Sequence, residues 1–101
     1  KLSVDGPTGR AICSLSGTDS ASVYQARTPA SVTDGSWHAL ECRRAGATLS
    51  ILLDDRQLGS VAVPATLSVR TTQPFSVGGK GTSGTNNQFY GSLDDVWISI
   101  G

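Results

Sequence analysis

A chain of 101 residues holds one domain, and 38% hydrophobic residues with 12 glycines and 4 prolines supply one modest core interrupted by many turns. Only 16% of the residues are charged and methionine is absent, which excludes a helical bundle built on Leu, Ala, Glu, Lys and Met. Eight basic residues balance eight acidic ones, so there is no electrostatic footprint for nucleic acid or an anionic membrane, and no run approaches the roughly 20 apolar residues of a membrane span.

Period-two alternation recurs at short intervals, each run closed by a turn cluster, and helical periodicity is absent. The chain opens at Lys1 directly in a strand, without methionine or a signal peptide, and reads as a processed piece or a fragment of something longer. Leu2 and Val4 form the first run, ended by Asp5-Gly6-Pro7, where proline removes a ladder donor and glycine supplies a turn conformation. Gly9 to Gly17 is the second, with Ala11, Cys13 and Leu15 on one face. Val23 to Arg27 is the third, ended by Thr28-Pro29, and Thr33-Asp34-Gly35-Ser36 is a turn.

From Trp37 to Arg44, His38, Leu40 and Cys42 share one face and Ala39, Glu41 and Arg43 the other. Ala45-Gly46 turns the chain into Thr48 to Leu53, and Asp54-Asp55-Arg56 turns it again into Leu58 to Val63, a hairpin. Pro64 to Pro74 is irregular, Phe75 and Val77 lead into Gly78-Gly79, and Lys80 to Gln88 is a long polar loop. Phe89 to Ile100 alternates and reads as the last of about eight strands, the number and spacing of an all-β sandwich or barrel.

Cys13 and Cys42 each lie on the apolar parity of a strand, beside Leu15 and Leu40. Three fates are open to them: a bridge between adjacent strands inside the sandwich, a pair of buried thiols, or a metal or redox role. The bridge is favoured, because there is no CxxC spacing and only one histidine. Closing a loop of roughly thirty residues contributes about 3 to 4 kcal/mol in the chain-entropy model. A bridge also implies an oxidising compartment and export. The order Cys13, Trp37, Cys42 does not fit an immunoglobulin sandwich: the tryptophan falls just before the second cysteine, and Leu40 stands where a tyrosine corner would need Tyr.

Three ordered blocks carry a resemblance. Asp34-Gly35-Ser36-Trp37-His38-Ala39-Leu40, followed by Arg44-Ala45-Gly46 and a strand ending Leu53-Asp54-Asp55, resembles the central signature of laminin G-like domains of the concanavalin A-like lectin and glucanase superfamily. Pro74-Phe75-Ser76-Val77-Gly78-Gly79 looks like that family's strand into paired glycines, and Phe89-Tyr90-Gly91-Ser92-Leu93-Asp94-Asp95-Val96-Trp97-Ile98 like its closing strand. The placing of the two cysteines is similar to that in secreted bacterial members. Asp55 stands where the glycine of the hairpin tip usually falls, so that turn either accepts a left-handed aspartate or is one residue longer.

The resemblance implies an all-β, antiparallel jelly-roll sandwich in which residues 1–101 are the larger, C-terminal part of the domain. The first strands would then lie ahead of Lys1, and a further segment or chain would complete the sandwich.

Enzymatic members of the superfamily use converging carboxylates, but this chain has a single glutamate, Glu41, and neither Asp54-Asp55 nor Asp94-Asp95 converges on one bond, so no activity is expected. Trp37 is read as packed and His38 as hydrogen-bonded within the sheet, without the partners of a metal site. No cofactor is expected; calcium, which many family members hold at the rim, has loop candidates in Asp19, Asp34 and Asp54. The ligand-binding candidates are Lys80, Asn86, Asn87 and Gln88, whose amides suit sugar hydroxyls, and Tyr90, whose ring offers a stacking face. The resulting expectation is a secreted or cell-surface adhesion module for a glycan or an extracellular protein. The alternative is a structural accessory domain of a larger secreted or surface protein, with no free ligand.

Overall fold

The structure, a computed structural model, describes residues 1–18, 22–70, 75–79 and 89–100. Six strands form two antiparallel sheets, and there is no helix among the described residues. The first sheet holds β1 (Leu2–Val4), β2 (Arg10–Ser16) and β3 (Val23–Ser31) in that spatial order. The second holds β4 (Leu40–Ala45), β5 (Thr48–Leu53) and β6 (Arg56–Ala62). β3 lies over β6 and β5, and β2 over β5.

The inward faces follow the alternation of the sequence. Ala11 and Cys13 of β2, Ala26 of β3 and Val32 meet Leu49 and Ile51 of β5 and Val63 in one core. Ladder register fixes the second sheet: Leu40 opposes Leu53, Cys42 opposes Ile51 and Arg44 opposes Leu49, which leaves Glu41 and Arg43 on the outer face, where they form an ion pair at 2.9 Å. Gly46, left-handed at φ 57°, closes the two-residue turn between β4 and β5.

The β5–β6 turn also has two residues. Asp54 and Asp55 both have positive φ (51° and 67°) between the paired Leu53 and Arg56, the geometry of a type I′ hairpin. Aspartate tolerates that region because its short polar side chain bonds locally. The turn is therefore not one residue longer.

Three expectations are corrected. First, β3 does not end at Thr28-Pro29 but continues to Ser31. Its register with β2 jumps from Ile12↔Arg27 to Arg10↔Ser31, so Pro29 sits in a bulge on the edge of the sheet, where its missing N–H costs no ladder bond. The buried Thr28 repairs the gap: its hydroxyl accepts from Ala11 N–H (3.0 Å) and donates to the Ala30 carbonyl (2.8 Å).

Second, β4 begins at Leu40 and not at Trp37, because the residues just before it are bonded to turns. Third, residues 75–79 and 89–100 carry no strand, and six strands replace the expected eight among the described residues. Gly78 turns the first of these segments with φ 82°. In the second, Asp95 is left-handed (φ 50°) with its N–H bonded to Asp94 Oδ1 (2.8 Å), a local bond that competes with extension and breaks the two-residue period between Leu93 and Trp97.

The end of the sandwich is closed by residues 64–70. Arg44 donates from Nη1 to the Leu67 carbonyl (2.6 Å) and from Nη2 to those of Pro64 and Ala65 (3.3 Å each), while Thr18 N–H donates to the Ser68 carbonyl (2.9 Å). The segment thereby ties the second sheet to the end of β2.

Candidate functional site

Two turns meet at one rim. The turn ahead of β4 is built by Asp34, whose Oδ1 accepts from Ser36 N–H (3.0 Å), and by Gly35 at φ 79°. The β5–β6 turn presents Asp54, which the hairpin register places beside Ala39: Asp54 N–H donates to the Ala39 carbonyl (2.8 Å), and Ala39 N–H donates to Asp54 Oδ1 (2.9 Å).

His38 spans the gap between the turns. Its Nδ1 lies 2.9 Å from Asp54 Oδ2 and its Nε2 2.8 Å from Asp34 Oδ1. A carboxylate only accepts, so both contacts are hydrogen bonds together only when both ring nitrogens carry a proton. The two turns are thus arranged to hold an imidazolium. Asp54 first and Asp34 second raise the His38 pKa above its ordinary value. His38 in turn lowers both carboxylates, helped by Ser36 N–H at Asp34 and by Ala39 N–H at Asp54.

Such a centre offsets one of the two carboxylate charges and joins two turns. It offers no free ring nitrogen to act as a base, and Glu41 is paired with Arg43 on the outer face of the second sheet. Of the calcium candidates, Asp34 and Asp54 stand on either side of His38, each with an oxygen committed to it, and Asp19 lies outside the described residues. Among the described residues no group of three or more His, Cys, Asp or Glu side chains is disposed to hold a metal ion.

His38 thus bonds to turn carboxylates rather than within the sheet, and Trp37 is not packed but 69% exposed. The sequence held one signal for this arrangement, the four-residue step from Asp34 to His38; the register that brings residue 54 opposite residue 39 is set by the Gly46-Ala47 turn between β4 and β5.

Cys13 and Cys42 are joined, with Cα atoms 5.4 Å apart. The bridge runs between the two sheets rather than between adjacent strands, from fully buried Cys13 in central β2 to exposed Cys42 in edge strand β4.

Of the ligand candidates, Lys80, Asn86, Asn87 and Gln88 lie outside the described residues. Tyr90 is 91% exposed, next to Phe89, whose N–H donates to the Gly78 carbonyl (2.7 Å).

A family model described as a laminin G domain matches residues 8–100. No curated protein and no solved structure matches the chain.

Proposed function

The chain belongs to the laminin G domain family, and from that premise we propose that it is a non-catalytic extracellular module that binds a glycan or another extracellular protein in adhesion. The observation that carries the reading is Tyr90, an aromatic ring almost wholly exposed two residues after Gln88. Aromatic rings exposed in this way provide flat apolar contact with a polar tip, suited to a sugar face or a protein surface. Asn86, Asn87 and Gln88 precede Tyr90 closely in the sequence, and in this reading their amides, with the ammonium of Lys80, would supply hydrogen bonds. The Cys13–Cys42 bridge supports a secreted or cell-surface location. No cofactor is part of the proposal.

A glycan array and a panel of extracellular proteins, probed with the wild-type chain and with Asn86→Ala, Asn87→Ala and Tyr90→Ala, test the reading. Binding that disappears in the variants supports it; binding that survives all three overturns the assignment of the loop.

A second reading, a structural accessory domain with no free ligand, is favoured by one observation. Leu93, Val96, Trp97, Ile98 and Ile100 are all more than half exposed along one short segment. A further strand laid against it, from this protein or another chain, would cover them. A clean array together with self-association of the isolated chain favours this reading.

A further inference from the structure

We propose that Asp34, His38 and Asp54 form a proton-operated latch, which fastens the 34–36 turn to the β5–β6 hairpin while both ring nitrogens of His38 are protonated and releases that turn when one proton leaves. The inference goes beyond the binding reading, since the latch works with or without a ligand on the 80–88 loop.

The geometry sets which side lets go. Asp54 is fixed to Ala39 by two further hydrogen bonds that continue the β4–β5 pairing. Asp34 sits in a short exposed turn held by one bond to Ser36 N–H. A neutral imidazole keeps one N–H and can donate to only one of the two carboxylates. It keeps the one the hairpin holds in place, Asp54, and the pair Nε2···Asp34 becomes a lone-pair repulsion. The proton passes to solvent, which reaches the ring because the His38 side chain is 18% exposed.

The charged groups acting on the ring are Asp34 from the turn ahead of β4 and Asp54 from the β5–β6 turn. Both favour its charged form, so the latch closes on the acid side and opens on the alkaline side. The released turn leads directly into Trp37, whose exposed indole therefore changes its surroundings with the state of the latch.

The test is a pH titration of the full chain by nuclear magnetic resonance, following the His38 ring together with the amides of Gly35, Ser36, Trp37 and Ala39. His38 is expected to titrate above the ordinary histidine value of about 6.5, with the Gly35, Ser36 and Trp37 amides following its midpoint while Ala39 stays. Ser36 exchange protection, corrected for the intrinsic rate, should fall about two- to tenfold across that midpoint, the worth of one net hydrogen bond. In Asp34→Asn the His38 midpoint should drop and the coupled response vanish. Turn amides that ignore the His38 midpoint overturn the proposal, and so does an Ala39 amide that moves more than Ser36. The wild-type titration decides the matter even if the variant fails to fold.

Discussion

Gly59 of β6 lies directly beneath the Arg27 carbonyl of β3, so close that a Cβ at position 59 would overlap the carbonyl oxygen and press on Ile51 Cγ2 at 3.2 Å. The two sheets therefore approach backbone to backbone at this point, and the core on either side is correspondingly thin, built with Ala11 and Ala26. Gly59→Ala should destabilise the fold by about 1 to 3 kcal/mol, the range for forcing extra volume into a packed interior. Urea unfolding checks it, and an unchanged midpoint would mean that the sheets do not meet there.

Thr28 makes a second, independent prediction. Thr28→Val keeps the shape but leaves the Ala11 N–H and the Ala30 carbonyl without the hydroxyl that serves both. A loss of about 1 to 3 kcal/mol is expected, the penalty for a buried polar group left unpaired, whereas Thr28→Ser should recover most of it.

That bulge also shows where the sequence stopped being legible. Alternation and turn residues mark β1, β2, the β4–β5–β6 meander and, to within a residue, its two turns at Gly46-Ala47 and Asp54-Asp55, because each depends on neighbours a few residues apart. Pro29 looked like the end of β3, since a proline denies a ladder bond wherever the strand is central; only pairing with β2 reveals that it falls in an edge bulge. The apolar alternation of residues 89–100 predicts a strand, but alternation records which way side chains face and not whether an edge is there to pair with. In the sequence, His38 and its two carboxylates fall into separate roles. Joining them required the register that sets Asp54 beside Ala39.

The bridge between Cys13 and Cys42 closes a separation of 29 residues and joins the centre of one sheet to the edge of the other. Removing it in Cys13→Ala/Cys42→Ala should cost about 3 to 4 kcal/mol in the chain-entropy model, read from denaturant midpoints. Intact mass after alkylation under native conditions should show no added label; two labels would contradict the bridge.

Stability should depend on pH from both sides. The raised pKa of His38 contributes stability that is complete below its unfolded value, about 6.5, and is lost as pH rises through the folded value. The lowered pKa values of Asp34 and Asp54 contribute stability that is complete above the unfolded value, about 3.9, and is lost as pH falls through the folded values. Thermal melts should therefore show a plateau from about pH 4.5 to 6 that declines on each side, and His38→Gln should flatten the alkaline decline. An unaltered alkaline limb in that variant would assign the decline to another group.

The proposed ligand binding of this laminin G domain depends on Tyr90. Array binding by the wild-type chain, compared with Tyr90→Ala at equal folded concentration, tests it most directly. A defined glycan or protein ligand is expected whose signal falls at least tenfold in the variant, the loss of about 1.4 kcal/mol. Equal binding by the two proteins would contradict it.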